Sequence, residues 1–404
     1  MQILWGMLGI VVILGIAFLL STNKKAINAR TVIGALLLQI TFGVIVLKWE
    51  TGSQILGWIT NFVQSIINTS NEGIQFIFGG VLAGEGVQFV FAFQVLTVII
   101  FFSSLISVLF YLGIMQFITK AVGGFLAKML KTSQPESMSA AANIFIGITE
   151  APLVVKPYLE KMSKSELFAV MTGGAASVSG SVLVGYSLLG VPLDYLIAAA
   201  FMAAPAGLLM AKMLLPETET QTENEVIKLE RDKDTVNIID AASKGASTGL
   251  KIALNIGALI LAFISLIALV NLGLEWIGGI VGFDNLTLER ILGFLLAPLA
   301  FVIGVPWDEA LQAGSYIGQK FVLNEFVAFS TFAQDIDTFS NKTVAIISFA
   351  LCGFANLGAI GMLIGGIGGL APSRREFLAR YSFLAIIGGT LANLLSAAIA
   401  GMLL

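Results

Sequence analysis

The sequence predicts an all-α polytopic membrane protein of about eight transmembrane helices, with two re-entrant hairpins and interfacial helices arranged as an inverted repeat. Three observations predict it. Only 12% of the 404 residues are charged while 57% are hydrophobic, against roughly 25% charged in a soluble globular chain. At a mean hydropathy of +0.93, too few charges remain to cover a surface that faces water. Lysine and arginine are unevenly shared between alternate loops, and two distant stretches repeat one grammar of hairpin, interrupted helix and span.

Composition also excludes chemistries. A single cysteine, Cys352, leaves no intramolecular disulfide and no Cys-based metal or cluster site. Zero histidines remove the commonest zinc, haem and copper ligand and the commonest general base, so an enzyme is not expected and no organic cofactor is implied. A net charge of −3 without a basic face gives no footprint for nucleic acid.

The first apolar run, Ile3 to Leu20, is followed by Lys24, Lys25 and Arg30. A cleavable signal peptide carries its positive charge before the apolar run, so this is read as a retained helix with its N-terminus outside. Thr31 to Leu47 is the second span. Ile55 to Phe78 is apolar but interrupted by Asn61, Gln64, Asn68, Asn71 and Glu72, as an interfacial helix would be. Phe89–Phe117, Glu166–Leu189, Tyr195–Leu215, Lys251–Leu272, Thr343–Leu370 and Phe377–Leu404 complete eight spans. Ile291 to Val305 is too short to cross and is read as a second interfacial helix. Met138–Val155 and Leu311–Phe332 each contain a glutamate and are read as hairpins with arms of about nine to eleven residues, half a bilayer deep. On this scheme only Lys48, Arg290, Lys320 and Lys342 of the 22 Lys/Arg lie on the outer side, and all five tryptophans (Trp5, Trp49, Trp58, Trp276 and Trp307) do. The positive-inside rule then places both termini outside. Glu217 to Asp234 is polar and mixed in charge, a solvated cytoplasmic linker.

The repeat is the functional pointer. The first unit has Gly147-Ile148-Thr149-Glu150-Ala151-Pro152 in its hairpin and a helix broken around Gly173–Ser181; the second has Asn324-Glu325-Phe326 and a helix broken at Gly353–Gly358. Paired, glycine-interrupted segments in corresponding halves point to the binding site of a secondary transporter. Where a helix unwinds in the membrane its free N–H and C=O groups need partners, and a polar substrate with a small cation supplies them. Glu150 and Glu325 lie in the hydrocarbon region, where a carboxylate costs at least about 2.5 kcal/mol, and are read as functional. Asn143, Thr149, Ser177 and Asn356 serve either as interhelical glue or as oxygen ligands for a hard cation. Asp308 and Glu309 are read as caps of the outer hairpin. Tyr186, Phe326 and Phe354 either pack or stack on a ring. Gln319 and Lys320, near the tip of the second hairpin, receive no role.

GITEAP at 147–152, NEFVAF at 324–329, CGFAN at 352–356 and APSRR at 371–375 resemble the concentrative nucleoside transporter family, over nearly the whole chain from about Met138 to Leu404. The shortness of the chain is like that of bacterial members. The resemblance implies a homotrimer working by an elevator mechanism in the bacterial cytoplasmic (inner) membrane, importing nucleosides such as uridine with a coupling ion, Na+. It implies scaffold helices with an interfacial helix over 1–118, a first hairpin repeat of the transport domain over 119–215, a cytoplasmic linker over 216–250, a scaffold helix over 251–275, and the second hairpin repeat over 276–404. Thr149 and Glu150 map onto the base contacts, with Val182 lining the base pocket, and Glu325 and Asn356 map onto the ribose contacts. Phe354 is a candidate substrate contact as well. Asn143 and Ser177, with the backbone carbonyls of Ile146 and Val178, map onto the sodium site. Two positions depart from the pattern: Ile148 stands where many members have a base-contacting glutamine, and Ala359 where many have a ribose-contacting serine. Each loss removes a hydrogen bond of about 0.5–1.5 kcal/mol. Alternatives are proton coupling through Glu150 or Glu325, and a channel, which would need a continuous polar stripe through several spans.

Overall fold

The computed structural model describes residues 2–82, 90–219, 235–283 and 285–404. The described residues are helices and turns, with no strand among them. Helix α1 (Gln2–Leu19) and α2 (Ala29–Leu47) are joined by a 3₁₀ turn at Lys24–Ala26, and the Asn28 side chain caps α2 by accepting the Arg30 N–H. The expected interfacial segment is one helix, α3 (Glu50–Leu82), 33 residues long. It buries a single stripe of Gly52, Leu56, Ile67, Ser70 and Ile74 while Phe76 stays 91% exposed.

The third span is shorter than its apolar run. Helices α4 (Phe91–Gln94) and α5 (Leu96–Tyr111) form it, and it ends at Gly113, whose φ of +82° only glycine adopts readily. The residues after that turn open α6 (Ile114–Leu130). Hydropathy does not register one left-handed glycine inside an apolar run, which is why the sequence extended this span to Phe117. Its expected first residue, Phe89, lies outside the described residues.

The first hairpin consists of α7 (Gln134–Ala142) and a 3₁₀ helix over Ala151–Tyr158 carrying Pro152 and Pro157. The first broken helix is α8 (Lys164–Ala176) and α9 (Gly180–Leu188), parted at Ser177–Ser179, and α10 (Leu193–Leu214) follows. Capping boxes start α7 at Ser133/Glu136 and α8 at Ser163/Glu166. Helix α11 (Ile238–Val281) has 44 residues, about 66 Å. The expected domain boundaries at 250/251 and 275/276 fall inside it, and the one at 118/119 falls inside α6. Asn237 caps α11 by accepting the Asp240 N–H, so the helix begins well before the apolar run does. Most of the charged linker, with Lys228, Arg231 and Lys233, lies outside the described residues.

Helix α12 (Leu288–Val302), the second expected interfacial helix, meets α13 (Trp307–Val322) at 117° across Gly304, whose φ is +112°. Helix α13 with α14 (Glu325–Asp335) forms the second hairpin; its first arm starts at Trp307 and has 16 residues, longer than expected. Asp308 and Glu309 lie in the first turn of the hairpin's first arm, and Glu309 also reaches beyond it. Its carboxylate accepts the Ser340 N–H and Oγ–H, both at 3.0 Å, at the start of the next helix. That is α15 (Asn341–Leu351), which with α16 (Ala359–Leu370) forms the second broken helix, before α17 (Arg375–Leu403) ends the chain.

Among the described residues six helices are long and apolar enough to cross a membrane, or seven with the bent α12–α13 pair. The two other expected spans are α1, of 18 residues, and the α15–α16 pair, whose halves of 11 and 12 residues are each only about 17 Å long. Burial sorts the helices. Of the most apolar stretch of the α8–α9 pair and of α10, 94% is buried inside the chain, against 22% for α4–α5 and 17% for α11. The repeat helices therefore form the core, while α5 and α11 present apolar surface to lipid or to other chains. These two pack closely because small residues meet. A Cβ on Gly249 would lie 2.7 Å from Ile100 Cα, and one on Gly245 2.6 Å from the Ser103 carbonyl, a small-xxx-small contact.

Candidate functional site

Both helix breaks lie against hairpin tips. At the first, α8 stops at Ala176 because Ser177 is extended (φ −116°, ψ 170°). The Gly180 N–H donates to the Phe145 carbonyl at 3.0 Å, tying the restart of the helix to the hairpin. The tip closes on itself where the Gly147 N–H donates to Glu150 Oε2 at 2.8 Å. Around it, oxygens are left over. Asn143 Nδ2 donates to the Ser139 carbonyl at 3.0 Å, but the buried Asn143 Oδ1 and Ser139 Oγ have no partner. The carbonyls of Ile146 and Val178, in unwound backbone, accept no hydrogen bond among the described residues. The Ser177 hydroxyl donates to the Gly173 carbonyl at 3.0 Å, which leaves its lone pairs available. Neutral oxygens without donors suit a hard monovalent cation.

The second break runs from Cys352 to Gly358. Asn356 Nδ2 donates to Glu325 Oε2 at 2.8 Å, and the Ala359 N–H donates to Asn356 Oδ1 at 2.9 Å. Asn356 therefore caps α16 and holds Glu325 at once. Glu325 sits in the first turn of α14, where the helix dipole favours a carboxylate. Both side chains are buried. The Leu357 N–H donates to the Phe321 carbonyl at 3.1 Å, so hairpin and break are joined as in the first unit. Tyr186 of α9 stacks on Phe329 at 4.4 Å and meets Phe326 edge-on at 4.7 Å, both beside Glu325 on α14. The rings of Tyr186 and Phe326 thus pack together against α14, while the buried Tyr186 hydroxyl has no hydrogen-bond partner among the described residues.

The two breaks meet. The Phe354 N–H donates to the Ser177 carbonyl at 3.1 Å. Asn393 of α17 donates through Nδ2 to the Ala176 and Cys352 carbonyls at 2.6 and 3.0 Å, and its Oδ1 accepts from Lys320 Nζ at 2.6 Å. The other candidates scatter. Ile148 is buried on Gly174, where a Cβ would come within 2.8 Å of its Cγ1, and Thr149 packs over Gly366 in the same way at 3.1 Å. Val182 is buried, while Phe354 is half-buried.

A cavity of about 660 Å³ opens between the first hairpin, the first break and the α5–α11 pair. It brings together Ile146 and Glu150 with Ser179, Ser181, Ser103 and Ser107. Thr149, Ile148, Val182, Glu325, Asn356 and Phe354 do not line it. Sequence reasoning missed the serines and Asn393. Ser179 and Ser181, 3.3 Å apart, lie in the quoted break, and an asparagine inside the last apolar helix was itself a signal.

Models of known families match three stretches: Na+ dependent nucleoside transporter N-terminus at residues 8–81, nucleoside recognition Gate at 92–192, and Na+ dependent nucleoside transporter C-terminus at 195–401. The transporter YutK of Bacillus subtilis is 57% identical, with both chains covered in full, and the nucleoside permease NupC of Helicobacter pylori is 47% identical over 99% of this chain and 97% of its own. CNTnw in an inward-facing substrate-bound state superposes with a TM-score of 0.96 at 53% identity, covering 100% of this chain and 98% of that one. A doubly substituted CNTnw in an outward-facing state gives 0.97 at 52%, covering 100% and 99%.

Proposed function

The chain belongs to the Na+-dependent nucleoside transporter family, and on that premise we propose that it is a sodium-coupled symporter that imports nucleosides such as uridine across the bacterial cytoplasmic membrane by an elevator mechanism. The observation that carries this reading is the Glu325–Asn356 pair, buried where a hairpin tip meets a helix break. A carboxylate and an amide suit vicinal hydroxyls, which each donate and accept. Glu150 and Thr149 of the other repeat take the base, with Val182 and Phe354 as apolar walls. The buried core of α7–α10 and α13–α17 is the moving part, and the exposed apolar faces of α5 and α11 build a homotrimer scaffold. With both termini outside, Lys156, Tyr158 and Lys244 set the mouth of the cavity on the cytoplasmic side, so it serves as the inward exit.

Sodium takes the neutral oxygens of Asn143, Ser177, Ile146 and Val178; a proton would instead need Glu150 or Glu325 to titrate. Labelled uridine uptake into proteoliposomes decides between them: accumulation is expected with a sodium gradient and not with a pH gradient alone, and the reverse would establish proton coupling. Counterflow, which only a carrier performs, excludes a channel.

Ile148 offers the base no hydrogen bond, and an apolar wall rejects little. Ile148→Gln is expected to change relative affinities among nucleosides by no more than roughly tenfold, about 1.4 kcal/mol, in competition assays. Ribose dependence should be untouched, because Glu325 and Asn356 stand on the other repeat. Loss of every nucleoside would make Ile148 a packing residue against Gly174 and remove it from the site.

A further inference from the structure

We propose that the crossing of the two broken helices, clamped by Asn393 and Lys320, couples cation binding to nucleoside binding; the inference rests on the assignment of sodium to the first break and nucleoside to the second. Two helices end at this point. Helix α8 stops at Ala176 and α15 at Leu351, so two negative dipole ends and their unsatisfied carbonyls face one spot in the membrane. Lys320, 1% exposed, answers them: Nζ donates to the Ala350 carbonyl at 2.8 Å and to Asn393 Oδ1 at 2.6 Å. The Asn393 amide is fully used, because both of its N–H groups go to the Ala176 and Cys352 carbonyls. One side chain thus fastens the last residue of one half-helix to the first residue beyond the other. Gly353 lacks the Cβ that would run into Asn393 and into the Ala176 carbonyl, so no slack separates them.

Named contacts then run from one site to the other. Ser177 and Val178, which hold the cation, adjoin the clamped Ala176, and the Ser177 carbonyl accepts the Phe354 N–H. The segment containing Phe354 also contains Asn356, which holds Glu325. A cation that orders Ser177–Val178 orders Cys352–Gly358 with it and prepares the ribose site, and by linkage the nucleoside tightens the cation equally. Lys320 and Asn393 are positioning residues that act through the breaks.

Hydrogen exchange followed by mass spectrometry tests this on the full-length protein without nucleoside. Sodium chloride, compared with choline chloride, is expected to slow exchange over residues 143–147 and 177–180, and also over 352–358, which carries no sodium ligand. Protection confined to the first two segments overturns the coupling. Asn393→Asp keeps the acceptor for Lys320 and loses both donors. It is expected to lose the sodium effect at 352–358 and keep it at 177–180. The ratio of uridine Kd in choline to that in sodium, expected at roughly fivefold or more in the wild type, should fall below about twofold. Lys320→Gln gives a second variant with the same expected readout. A variant that weakens uridine equally in both salts, with the ratio intact, shows a structural role only and overturns the proposal. Should wild-type sodium protect none of these segments, the sodium assignment itself fails and the coupling falls with it.

Discussion

Glu325→Gln is expected to lower uridine affinity by at least roughly a hundredfold and to bring uptake to background, while the protein still purifies folded. The carboxylate is 4% exposed and accepts from Asn356 Nδ2 at 2.8 Å. On the proposed assignment its remaining lone pairs accept the ribose hydroxyls. Hydrogen bonds to a charged group contribute about 1.5–3 kcal/mol each, so losing two at a vicinal diol costs about 3–6 kcal/mol, or two to four powers of ten. A glutamine amide keeps one acceptor. If that oxygen stays on Asn356, the amide nitrogen points a donor where a hydroxyl needs an acceptor; if it turns to the substrate, two N–H donors confront each other. Calorimetric titration of uridine measures the loss, and uptake checks it. Competition by 2′-deoxyuridine and by free uracil provides the matching ligand series, each expected to bind more weakly than uridine. Wild-type transport by Glu325→Gln would remove Glu325 from the site, and equal competition by uracil and uridine would defeat the ribose assignment.

The breaks were legible because glycine and polar residues interrupted long apolar runs. Ser177–Ser179 unwinds inside the first stretch that the glycine spacing marked, and Cys352–Gly358 starts one residue before the second, Gly353–Gly358; Asn324-Glu325 forms the tip of the second hairpin because Asn324 caps α14 by accepting the Val327 N–H. The Glu325–Asn356 bond joins two residues 31 apart, and the motifs placed both at breaks without showing that they touch. Other features left no local signal. Gly113 ends a span through one φ value, and α11 starts at Asn237, upstream of its apolar run. Lys320 received no role from the sequence, because its partners Ala350 and Asn393 come from two other helices. Ile148 occupied a base-contacting position in the motif, yet a neighbouring glycine, Gly174, receives its side chain. Tertiary partners of buried charge were what the sequence concealed, and Glu136 with Lys212 is a further such pair.

Glu136→Ala is expected to destabilise the protein by about 3–5 kcal/mol, the usual result of stranding one member of a buried ion pair. Glu136 is 0% exposed and Lys212 5%, with Lys212 Nζ 2.7 Å from Glu136 Oε2. The pair fastens the start of the first hairpin arm, α7, to the end of α10. Glu136 Oε1 also accepts the Ser133 N–H at 2.8 Å, so the truncation opens the capping box as well. Lys212 keeps the Ser165 hydroxyl at 3.1 Å and Glu217 at 3.6 Å; Glu217 is the more exposed carboxylate and a weaker counter-charge for a buried ammonium. At about 2 °C per kcal/mol for a long chain, the thermal midpoint in detergent should fall by roughly 6–10 °C. The double variant Glu136→Leu with Lys212→Met separates charge from packing. Replacing both ions by apolar groups of similar volume is often neutral or stabilising, so its midpoint should return most of the way to the wild-type value. Glu217 then faces no buried cation and keeps the Ser163 hydroxyl at 2.8 Å and the Glu219 N–H at 3.1 Å. A double variant as unstable as Glu136→Ala would place the cost in the lost capping box and the packing of α7, and not in an unpaired Lys212.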